Sequence, residues 1–87
     1  MIVKGNLISP VTGRVLSGWP KEFDSTKCRF DCLDVADNGY EVLVTELESK
    51  LVTVIWIEGD FPKGVRLYPY TPQVEEAKTR WAVASRA

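Results

Sequence analysis

The stretch Arg29-Phe30-Asp31-Cys32-Leu33-Asp34-Val35-Ala36-Asp37-Asn38-Gly39-Tyr40-Glu41-Val42-Leu43-Val44 decides the fold. With Cys28 just before it, the first half places Cys28, Phe30 and Cys32 on one face and Arg29, Asp31 and Leu33 on the other, the period of a half-buried strand. Turn formers follow, and the alternation resumes at Tyr40, Val42 and Val44. Asn38-Gly39 is a strong hairpin signal because both residues tolerate the positive φ that primed turns require. The stretch therefore reads as a β-hairpin closed by a primed turn.

Working outward, Leu51 to Ile57 is apolar on both faces and rich in β-branched residues, as expected of a central strand covered on two sides. Upstream, Ile2 to Ile8 reads as a first strand, Ser9 to Gly13 as a turn and Arg14 to Ser17 as a short second strand. Gly18 to Ser25 has no period and contains Pro20, so it reads as a loop. Downstream, Gly59 to Gly64 reads as a loop and Val65 to Tyr68 as a short last strand. Thr71 has the place of an N-cap and Pro72 that of the first helical residue. Val74, Ala77, Trp81 and Ala84 then recur at helical spacing, and Glu76 and Arg80 lie one turn apart. No interval between strands is long enough for a crossover helix, which predicts antiparallel pairing. The expected architecture is α+β, mainly β: a small antiparallel curled sheet or barrel of five or six strands, covered through Trp81 by one C-terminal α-helix. Residues 1–87 form a single domain.

Charge and composition narrow the function. At 45% hydrophobic and 26% charged residues the chain is globular in type. Eleven basic residues against twelve acidic ones leave a net charge of −1, with no bulk field to hold nucleic acid or an anionic membrane. Leu51 to Ile57 falls far short of the ~20 apolar residues of a membrane-spanning helix. The start, Met1-Ile2-Val3-Lys4-Gly5, lacks the apolar core of a secretory signal. Cytoplasmic residence is the expectation.

Cys28 and Cys32 lie four residues apart, ~13 Å along a strand, which is beyond the reach of a disulfide, so they read as reduced structural thiols. The chain has no histidine, hence no ordinary base near neutral pH, and neither cysteine has an evident activating partner. Glu22, Asp24, Asp31, Asp34, Asp37 and Asp60 fall mostly at predicted turns, where acids serve local hydrogen bonding. Asp31, Asp34, Asp37 and Asn38 offer oxygen ligands, but without the Asp-x-Asp-x-Asp-Gly spacing and distant glutamate of a calcium loop. The expectation is no enzyme, no metal and no cofactor.

Trp56 and Trp81 have core addresses. Trp19, Phe61 and Tyr70 fall in predicted loops and are the aromatics expected at the surface, where such side chains mark protein contacts. The free sheet edge is a second contact surface, and self-association through it, as a homodimer, is the simplest version.

Asp34-Val35-Ala36-Asp37-Asn38-Gly39 resembles the Asp/Asn-x-Ser/Ala-x-x-Gly turn of PilZ domains, small β-barrels that commonly bind cyclic diguanylate. Val54-Ile55-Trp56, Gly64-Val65-Arg66-Leu67 and the terminal helix are similar to the closing part of that family. The resemblance implies a guanine pocket lined by Asp34, Ala36 and Gly39, with Arg14 and Lys21 or Arg29 gripping phosphates. Ligand-binding members also carry an upstream Arg-x-x-x-Arg segment, whereas here Arg14 is followed four residues later by Gly18. The chain thus resembles members that have lost the dinucleotide and act through protein contacts. The leading expectation is a small non-enzymatic binding module acting on another protein or on itself. A cyclic-dinucleotide (c-di-GMP) receptor is the alternative, and an inhibitor protein encoded by a phage or mobile element fits the same features.

Overall fold

Six strands and one helix follow one another: β1 (Ile2–Ile8), β2 (Val15–Asp24), β3 (Cys28–Ala36), β4 (Gly39–Glu46), β5 (Val52–Glu58), β6 (Leu67–Tyr68) and α1 (Pro72–Arg86). The structure, a computed structural model, describes residues 1–86, with Arg86 described by its backbone alone. The strands form one curled sheet in the order β2-β1-β5-β4-β3-β6. The α+β, mainly β architecture is the one the sequence predicts, and β5 lies between β1 and β4 in the interior of the sheet.

Alternation along the strands divides the core in two. Val3, Phe30, Val42, Val44, Ile55 and Ile57 fill one side of the sheet, and Ile8, Leu33, Leu43, Val54 and Val74 fill the other. Phe23 near one margin and Leu67 at the other pack into the same first cluster, which requires the sheet to roll. The helix covers the second cluster through Val74, Ala77 and Trp81. Its start is capped as expected, the Val74 N–H donating to Thr71 Oγ1 at 3.3 Å. Arg80 reaches Glu76 at 2.9 Å, and Lys78 ties the helix to Glu41 of β4 at 2.9 Å.

Three local expectations are corrected. The purely antiparallel sheet gives way at β6, which runs parallel to β3 with Phe30 beside Leu67 and Asp31 beside Tyr68. A crossover need not be helical: the 59–66 segment turns at Gly59 (φ 75°) and Gly64 (φ 85°), and Phe61 and Val65 pack on the first core cluster as it crosses. The predicted 18–25 loop is instead most of β2, with Pro20 opposite Asn6. β2 is the edge strand, where the missing N–H of a proline can face solvent at no cost. Finally, the β3–β4 hairpin closes over Asp37 and Asn38, but neither Asn38 nor Gly39 has positive φ, so the turn is not a primed one. The Gly59 N–H donates to the Asn38 carbonyl at 2.8 Å and fastens the tip to the end of β5.

Lys50 is the one non-glycine residue with positive φ (66°) among the described residues. It sits in the β4–β5 turn, its N–H donating to the Glu46 carbonyl while the Glu46 N–H donates to Leu51. A side chain costs ~1–2 kcal/mol in this conformation, and glycine's greater unfolded-state freedom offsets roughly half of that. Lys50→Gly is therefore expected to raise stability by about 0.5–1 kcal/mol, read as a higher urea midpoint with unchanged slope.

Candidate functional site

Three segments meet at the end of the sheet where β2 passes into β3. The Ser25 N–H donates to Met1, the Lys27 N–H to Asp24, and the Leu47 N–H to Lys27, at 2.9–3.0 Å. Two grooves open there, sharing Cys28. One, of about 460 Å³, sets Glu22, Asp24, Glu46 and Glu48 against the single cation Lys27. The other, of about 420 Å³, is lined by Ser25, Thr26, Arg29, Leu47, Arg66 and Tyr68 among others, and by no carboxylate.

The parallel pairing of β6 with β3 builds the basic groove, because it draws Arg66 and Tyr68 alongside Arg29 and Asp31. The Arg29 guanidinium lies 3.8 Å and that of Arg66 4.5 Å from the centroid of the Tyr68 ring. Tyr68 is half-buried, and cations stacked this way gain ~0.5–1 kcal/mol each or somewhat more. Asp31, only 5% exposed, accepts from Arg29 Nε at 3.2 and 3.1 Å, so its buried charge is matched. Ion pairs among the described residues are Arg29–Asp31, Lys78–Glu41 and Arg80–Glu76. Arg66 on one side, and Glu22, Asp24, Glu46 and Glu48 on the other, are thus left without an ion-pair partner.

Asp24 accepts from the Thr26 hydroxyl at 2.7 Å and the Thr26 N–H at 2.9 Å, bonds that hold its carboxyl below the usual range. Both cysteines are free. Burial pushes the Cys28 thiol up, helped by the carboxylates of Glu46 and Asp24; burial, then Asp34 and Glu41, does the same for Cys32. Neutral thiols are poor nucleophiles. Among the described residues no group of three or more Cys, Asp or Glu side chains is placed to hold a metal ion.

The residues singled out in the sequence are only partly brought together. Asp34, Ala36 and Gly39 share the hairpin tip: Asp34 and Ala36 are exposed, Asp34 Oδ1 accepts from the Val35 N–H at 3.0 Å, and Gly39 is buried against Trp56. Arg29 lies five residues away on the same strand, ~16 Å. Arg14 precedes β2 and Lys21 lies on it, four strand positions from β3. Of the aromatics, Trp19 and Tyr70 are exposed, 62% and 52%. Phe61 is not, and its expected surface role is corrected: its ring meets Phe30 and Tyr40 edge-on, each at 6.1 Å between centroids, because its loop is the crossover. Arg66, Tyr68, Glu46 and Glu48 were legible only as scattered residues. The one local hint was the shared i, i+2 step of Arg29-x-Asp31 and Arg66-x-Tyr68.

Among the described residues no helix is long and apolar enough to cross a membrane. No family model, curated protein or solved structure matches the chain.

Proposed function

We propose that the chain is a non-enzymatic binding module that works through protein contacts, with β2 and the turn before it as the contact surface. The observation that carries this reading is an edge strand bearing exposed apolar side chains: Val15 and Trp19 on β2, and Val11 in the turn. Tryptophan left uncovered on a strand margin is the residue type most enriched at binding hot spots. Pro20 decides the mode of contact. Adding a partner strand along β2 needs outward N–H donors, and proline supplies none in the middle of the strand. A partner therefore meets the side chains rather than extending the sheet, which moves self-association by edge pairing down the order.

Trp19→Ser should leave folding within about 0.5 kcal/mol of the native chain, since the side chain is exposed. In affinity recovery from extract of the source cells, a stoichiometric partner of the native chain should drop about tenfold with Trp19→Ser and persist with Val83→Ser on the helix. Equal recovery by all three chains would remove this surface from the proposal.

A cyclic-dinucleotide receptor is the second reading, favoured by the gathering of Asp34, Ala36 and Gly39 at one tip. Calorimetry with cyclic diguanylate tests it, and silence at tens of micromolar protein removes it.

A further inference from the structure

We propose that a second copy of this chain docks on the end of the sheet around Cys28, in a two-fold contact where the acidic groove of each copy receives the basic groove of the other. The inference goes beyond the partner surface around Val11, Val15 and Trp19: it uses none of those side chains and takes from β2 only its far end, Glu22 and Asp24. It starts from charges that the fold leaves unmatched. Glu22, Asp24, Glu46 and Glu48 converge on one groove whose lining holds the single cation Lys27, the amino terminus also acting on Asp24 and Lys4 standing opposite Glu22, while Arg66 and the outer donors of Arg29 face the neighbouring groove, whose lining holds no carboxylate. Arg29 spends its Nε on Asp31, which fixes the guanidinium and leaves its terminal amino groups without an acceptor in the hydrogen bonds of the described residues.

Adjacent patches of opposite sign are self-complementary under a two-fold rotation, because an isologous interface sets residue i on j and j on i. The two grooves flank Cys28, so the axis that exchanges them passes near it. Leu47, half exposed and beside Lys27, supplies the apolar centre within a charged rim, the layout of a small interface. The stacking of Arg29 and Arg66 on Tyr68 pre-sets the cationic half before the partner arrives. Since the matched charges sit at the rim, the contact is sensitive to salt.

Sedimentation equilibrium of the full chain tests it. The native chain should be dimeric at tens to hundreds of micromolar in low salt, weakening about tenfold in half-molar salt. Arg66→Glu cancels the charge of the basic groove, the new carboxylate offsetting Arg29, and Glu46→Lys with Glu48→Lys turns the acidic groove basic. Each variant alone should sediment as a monomer, and an equimolar mixture should restore the dimer. Glu48→Lys alone, on an exposed turn, serves if the double change disturbs the fold. Trp19→Ser should leave the dimer intact. A native chain that stays monomeric at hundreds of micromolar overturns the proposal. So does a dimer that survives the single charge reversals, or a mixture of the two variants that remains monomeric.

Discussion

Gly39→Ala should cost more than about 3 kcal/mol, enough to unfold much of the population of a domain whose total stability is typically ~5–15 kcal/mol. A Cβ at Gly39 would overlap the Ile57 carbonyl oxygen and stand 2.6 Å from Cζ2 of Trp56. Neither neighbour can step aside cheaply. Ile57 is paired with Tyr40 in the β4–β5 ladder, and the Trp56 ring is pinned by its Nε1–H donating to Glu58 at 2.8 Å. The indole lies over the position of the absent side chain, an aromatic residue covering a cross-strand glycine. Gly18→Ala is the control: nothing lies within 4 Å of its added Cβ, and its φ is not in the left-handed region. Urea unfolding followed by tryptophan emission separates the two. An unchanged midpoint for Gly39→Ala would contradict the close approach of β4 to Trp56.

Phe30→Ala should cost about 3–5 kcal/mol, the range for removing a fully buried phenylalanine. Phe30 is 1% exposed and the largest wholly buried side chain. Phe61 covers it from the crossover segment and is itself only partly buried, so Phe61→Ala should cost roughly half as much. Because the rings touch, the two losses should not add. A double-mutant cycle should return a coupling of ~0.5–1.5 kcal/mol, as for other edge-to-face pairs. Additive losses would mean that the 59–66 segment does not seat on the core.

What could be read from the chain alone was what neighbouring residues settle among themselves. The β3–β4 hairpin, the two-sided apolar β5 and the Thr71-Pro72 helix start all rest on period, turn formers or capping within a few residues. Pro20 reads as a breaker along the chain, and only the strand order makes its strand an edge, where a proline is tolerated. Gly39 was needed, but for a different reason: the turn spares it positive φ, and the indole of Trp56 demands that it have no side chain. The parallel seat of β6 is out of reach of a local reading, since it joins residues 30–31 to 67–68, neighbours in the sheet but far apart in the chain. The same limit governs the candidate sites. Asp34, Ala36 and Gly39 are neighbours in sequence and in space. The two grooves draw on segments near 22–30, 46–49 and 64–68, which only the pairing brings to one end.

The margins of the sheet have a consequence for the protein at high concentration. On one side Pro20 interrupts the ladder that an incoming chain would copy. On the other, β6 shields β3 only at Phe30 and Asp31, but the stretch beyond carries a bulge at Leu33 and the charged Asp34. Both borders thus carry features that work against templating a further layer of backbone, the same features that oppose growth into cross-β fibres.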